Sequence, residues 1–190
     1  ADSETEGAFS RSFVEAHRAA GLITSLKHFP GHGSTLRDSH LHLPDISATW
    51  SAMELEPYRV LFAEGLADTV MVGHLVLDRE GAETGLPATL SPDLVDGLLR
   101  HELGYRGVAV SDDMEMGAIT GDHEMATALI AAIRAGIDLL IVSNYLSRDP
   151  ELPETLIREI GRAAMEDDTL RARIAESAMR IETLKRTRLP

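Results

Sequence analysis

The chain has 190 residues, 44% of them hydrophobic, enough to bury one sizeable core as one globular domain or a large part of one. With 31 acidic against 18 basic residues the net charge is −13, a field that repels phosphate backbones and gives no reason to expect nucleic acid; a neutral ligand fits better. No run approaches the roughly 20 apolar residues of a membrane-spanning helix, and the lack of cysteine excludes disulfides, thiolate catalysis and cysteine zinc sites while leaving the compartment open.

The sequence begins at Ala1 with neither a methionine nor a secretory-signal pattern, from which upstream sequence is expected. Periodicity predicts a helix over Glu6–Ala20, then the short strand Leu22–Leu26 after Gly21. A polar loop leads to a second helix near Ala52–Gly65 and the strand Thr69–Val72. Ser91-Pro92 marks a helix start, with serine as cap and proline in the first turn, and that helix ends near Gly104 before Gly107–Val110. A fourth helix from Glu124 to Gly136 precedes the strand Asp138–Val142, and helices over Pro153–Glu166 and Leu170–Thr187 close the chain.

Apolar strands alternating with helices predict an α/β fold with parallel strands. Polar residues at each strand end (Lys27-His28, Gly73-His74, Ser111-Asp112, Ser143-Asn144) match the active-site end of a TIM-type (β/α)8 barrel. The predicted architecture is therefore one partial domain over residues 1–190, the C-terminal half of such a barrel with about four βα units; a small flavodoxin-like sheet is the competing arrangement.

Two segments carry the chemistry. Lys27 to His40 is a strand end running into a glycine-rich loop that gathers His28, His32 and His40, with His42 just beyond. Any one of these taken alone reads as a solvated loop histidine. Together they offer an imidazole titrating near neutrality, with Asp38 two residues before His40 to fix its tautomer and raise its basicity. Ser111-Asp112-Asp113-Met114-Glu115-Met116 is the second segment. Asp113 is a candidate helix cap, whereas Asp112, nearest the strand end, is the candidate carboxylate nucleophile for an anomeric carbon.

These two segments resemble the signatures of glycoside hydrolase family 3, in its β-N-acetylglucosaminidase (β-hexosaminidase) branch. Supporting matches fall in order at Met71–His74, Pro87–Ser91, Leu103–Gly107 and Ala135–Asp138. The resemblance implies a retaining β-N-acetylhexosaminidase that hydrolyses terminal N-acetylglucosamine glycosides through a covalent glycosyl-enzyme. It implies Asp112 as nucleophile, Asp38 and His40 as the acid/base pair, Lys27 and His28 as sugar-hydroxyl ligands, and neither cofactor nor metal. The family's barrel also has upstream strands, one bearing a sugar-binding arginine. An open half-barrel is accordingly expected to pair with further sequence or to self-associate.

Three other readings stay open. Entry of phosphate in place of water makes the reaction a phosphorolysis. A metal-dependent hydrolase would draw ligands from His28, His32, His40, His42 and Asp112, and metal analysis of purified protein would reveal it. A catalytically silent barrel fragment would bind an N-acetylglucosamine analogue without turnover. His17, His101 and His123 read as surface or packing residues, Trp50 and Tyr58 as core more readily than as platforms stacking on sugar, and His74 equally as pocket lining or structure.

Overall fold

The helix–strand alternation resolves into a four-stranded parallel sheet in the computed structural model, which describes residues 3–35, 42–81, 83–120, 124–146 and 148–189. Helix α1 (Ser3–Ala19) precedes β1 (Ser25–Phe29), and a 3-10 turn (Ala52–Leu55) with α2 (Glu56–Ala63) precedes β2 (Thr69–Val72). A helix over Asp93–Glu102 precedes β3 (Val108–Asp113); the single turn α3 (Gly117–Thr120) and α4 (Met125–Ala135) precede β4 (Leu139–Ile141). Helices α5 (Leu152–Glu166) and α6 (Asp168–Arg188) follow.

The strands lie in the order β1-β2-β3-β4 with every neighbour parallel. A doubly wound sheet reverses its strand order at a switch point, and no reversal occurs among the described strands, which is the winding of a barrel wall. No described helix is long and apolar enough to cross a membrane.

Two departures from expectation stand out among several small shifts of element ends. The first strand lies at Ser25–Phe29 rather than Leu22–Leu26, because pairing with β2 (Ser25 to Thr69, Leu26 to Val70, Phe29 to Val72) carries it through Lys27 and His28. Polarity there reflects a strand tip facing a site, not the end of the strand. The segment predicted as an ordinary helix from Ser91 winds as a π-helix over Asp93–Glu102, although Ser91 Oγ still accepts the Leu94 N–H at 3.3 Å as the expected cap.

Side-chain alternation sets the layers. Val70, Val72 and Ala109 are fully buried in the main core with Leu129 and Ala132 of α4. Asp138 pins α6 to the base of the sheet. Its carboxylate, fully buried, pairs with Arg100 at 2.6 Å, Arg180 at 3.0 Å and Arg173, and accepts from Ser177 Oγ at 2.9 Å and Ala109 N–H at 3.0 Å. Burial alone would push this acid's pKa up, but the arginines and hydrogen bonds outweigh it and hold it below the usual carboxylate range.

Candidate active site

The site is built on the carboxyl ends of three adjacent strands. Asp112, near the end of β3, shares by alternation the face of Val110. Its Oδ1 accepts the Asp113 N–H at 2.9 Å, leaving Oδ2 facing His28 Nε2 of β1 at 3.8 Å. That separation exceeds a hydrogen bond, and the contact is an ion pair only when His28 is protonated. Between them lies the end of β2, where Gly73 gives His28 its room: a Cβ there would stand 3.2 Å from His28 Cβ.

The neighbouring acid has a different job. Asp113 Oδ1 accepts N–H groups from Glu115 and Ser143, both at 3.1 Å, so it closes the turn after β3 and ties it to the segment after β4. Burial works against its ionisation, yet the hydrogen bonds from Ser143 and Glu115 and the nearby His74 hold its pKa below the usual value. The sequence offered Asp113 as a helix cap; its carboxylate instead closes the turn ahead of α3, which begins at Gly117. Glu115, almost fully buried, extends the clamp by accepting from Ser143 Oγ at 2.8 Å and Tyr145 N–H at 2.7 Å.

His74 is fully buried, its Nδ1 lying 2.8 Å from Thr89 Oγ1 and its Nε2 3.0 Å from the Asp113 carbonyl oxygen. Burial holds its pKa below the ordinary histidine value, against the opposing pull of the Asp113 carbonyl and of the Asp112 and Asp113 charges. It is a structural histidine, one of the two roles the sequence left open.

On the β1 side a cavity of about 590 Å³ is lined by Lys27, His28, His32, Ser34 and Glu54. Asp112 is not among its lining residues, so His28 is the side chain that faces both. Lys27 is exposed, and its ammonium makes no hydrogen bond or ion pair with a described residue. The loop beyond it is anchored from below: Ser34 Oγ donates to Glu54 Oε1, and Trp50 Nε1 donates to the Pro30 carbonyl at 3.0 Å. Gly31 adopts φ +132°, and a Cβ there would fall 2.8 Å from Glu54 Cβ. Trp50 and Tyr58 pack in the core as expected, Tyr58 edge-to-face on Phe29.

Asp38 and His40, the expected acid/base pair, lie outside the described residues, as does His123. His32 stacks edge-on against His28 with ring centroids 5.3 Å apart, and His42 is exposed. Among the described residues no three His, Asp or Glu side chains converge to hold a metal ion.

A profile of the glycosyl hydrolase family 3 N-terminal domain matches residues 1–184. The chain belongs to glycoside hydrolase family 3. The β-hexosaminidase of Xylella fastidiosa (strain 9a5c) is 34% identical over 97% of this family 3 chain and 58% of its own length. Among solved structures, the family 3 β-N-acetylglucosaminidase of Paenibacillus sp. str. FPU-7 matches with a TM-score of 0.79 at 38% identity, over 94% of this chain and 34% of that one. The β-N-acetylhexosaminidase of Beutenbergia cavernae matches with a TM-score of 0.85 at 27% identity, over 97% of this chain and 53% of its own. The family 3 chain is thus part of a TIM-type barrel and spans little more than half the length of these relatives or less.

Membership gives the supporting motifs physical jobs. Met71–His74 supplies the gap for His28 and the imidazole on Asp113, Pro87–Ser91 supplies Thr89 and the Ser91 cap, and Ala135–Asp138 supplies the buried ion-pair hub. In Leu103–Gly107, Tyr105 stacks on Phe62 and donates to the Val108 carbonyl at 3.1 Å. Sequence reasoning did not single out Thr89, Glu115, Ser143 or Glu54. The first two sit inside the motifs named above and Ser143 among the polar strand ends, while Glu54 carries no pattern that marks it.

Proposed function

We propose that the complete protein is a retaining β-N-acetylhexosaminidase acting on terminal N-acetylglucosamine glycosides. Asp112 attacks the anomeric carbon, forming a carboxylate–sugar bond as the glycosidic bond breaks, while His40, oriented by Asp38, protonates the leaving oxygen. His40 then takes a proton from water, whose oxygen displaces Asp112 and regenerates the free carboxylate. Lys27 and His28 hold sugar hydroxyls. A histidine acid/base is cationic when it protonates the leaving group and neutral afterwards, so at neither stage does it exert on Asp112 the like-charge repulsion that a second carboxylate would.

The observation that carries this reading is the pairing of Asp112 with His28 at 3.8 Å across the tips of β3 and β1, in a chain of this family. Asp112 is the better nucleophile of the adjacent acids because Asp113 spends its carboxylate on the backbone of Glu115 and Ser143. Asp112→Ala is expected to lower kcat by about 10⁴-fold, with azide restoring turnover as an α-glycosyl azide. A variant of near-normal activity, or one that azide leaves silent while it still binds sugar, contradicts the assignment.

We further propose that the remaining barrel covers the open edges of the sheet. Among the described strands β1 and β4 each pair on one side only. Beside β1, Phe9, Phe13 and Leu22 are more than half exposed.

A further inference from the structure

His74 touches no part of the expected reaction directly, yet it is fully buried and one of its two hydrogen-bond contacts is with the residue beside Asp112. A carbonyl oxygen can only accept, so Nε2, 3.0 Å from the Asp113 oxygen, carries the hydrogen. In the neutral ring Nδ1 is then the acceptor, facing Thr89 Oγ1 at 2.8 Å, whose single hydrogen it shares with two backbone carbonyls. Thr89 is itself lodged 3.1 Å from the Gly73 carbonyl and 3.2 Å from that of Val72, so the imidazole is held from the end of β2.

The peptide unit between Asp113 and Met114 is therefore gripped from both sides. His74 donates to its carbonyl, and its N–H donates to the Ile141 carbonyl of β4 at 2.9 Å. One residue earlier, the Asp113 N–H donates to Asp112 Oδ1 and fixes that carboxylate with Oδ2 toward His28. Removing His74 leaves the Asp113 carbonyl without its donor. Rotation of that peptide unit to recover one turns the Met114 N–H away from the Ile141 carbonyl and loosens the tip of β3 that carries Asp112.

We propose that His74 is a positioning residue for the glycosidase reaction, holding the tip of β3 so that the Asp112 carboxylate faces the anomeric carbon. This rests on the reading of Asp112 as nucleophile. A nucleophile misplaced by about 1 Å loses about 100-fold in rate, and the loss falls on the chemical step rather than on binding.

The test measures steady-state kinetics on an aryl N-acetylglucosaminide and the rate at which a fluorinated glycosyl fluoride labels Asp112, in the complete protein. His74→Leu, which removes the donor, is expected to lower kcat and the labelling rate together by about 100-fold, with KM within about threefold. His74→Gln, whose amide can reach the same carbonyl, is expected to recover at least about a tenth of the wild-type rate. Wild-type labelling by a folded His74→Leu protein, or equal losses in the two variants, overturns the inference alone. Should His74→Leu fail to fold, Thr89→Val decides: labelling slowed about 10-fold supports the inference, and an unchanged rate overturns it. A wild-type label on a residue other than Asp112 overturns the nucleophile reading and this inference with it.

Discussion

Asp112 and Asp113 show how neighbouring carboxylates acquire different work from their hydrogen-bond partners. Asp113 receives two backbone N–H groups and becomes a strut; Asp112 receives one and keeps an oxygen turned to His28. The order of the acids in the sequence pointed to Asp112, but Asp113's two donors come from residues 115 and 143, and the second contact is invisible without the fold. Gly73 makes a related point. Its replacement by alanine must move His28 by a few tenths of an ångström, so Gly73→Ala is expected to lower kcat/KM about 3- to 10-fold without unfolding the protein, read by kinetics beside circular dichroism. His74 carries a pH signature as well. Its folded pKa is depressed, so the unfolded chain takes up the proton first as pH falls, and the stability this group contributes above about pH 6.5 is lost on further acidification. Thermal midpoints across pH should show that decline in the wild-type protein and less of it in His74→Gln.

At the scale of elements, helix and strand periodicity located the secondary structure within a few residues, because each apolar segment meets one layer of the core. β1 was displaced in the reading for a physical reason: its far end bears Lys27 and His28, whose polarity belongs to the site, so the hydrophobic pattern stops before the hydrogen-bond ladder does. The π winding of Asp93–Glu102 likewise has no signature in hydrophobic spacing. Asp138 stood in the sequence only as a strand start and part of a family match, yet it joins the Asp93–Glu102 helix and α6 through three arginines and β3 through the Ala109 N–H. Asp138→Ala leaves Arg100 buried without its carboxylate and is expected to cost about 3 to 5 kcal/mol in urea unfolding, enough to lower or abolish the folded population. Gly31→Ala, at φ +132° and against Glu54, is expected to cost about 1 to 3 kcal/mol by the same measurement.

For the molecule as a whole, the consecutive order β1-β2-β3-β4 is what separates a barrel wall from a flavodoxin-like sheet, a distinction the sequence could not make from alternation alone. It also leaves unpaired sides on β1 and β4 among the described strands, next to exposed Phe9 and Phe13. The 190-residue chain by itself is expected to self-associate with rising concentration in sedimentation, while the complete protein does not; a compact monomer of the isolated chain contradicts covered edges. The central claim, that Asp112 forms the bond to sugar, is tested most directly by trapping the complete protein with a fluorinated glycosyl fluoride and mapping the labelled peptide by mass spectrometry. A single adduct on the peptide containing Asp112, removed by Asp112→Ala, is the predicted result; an adduct on another carboxylate, or none in a protein that binds and turns over the sugar, contradicts it.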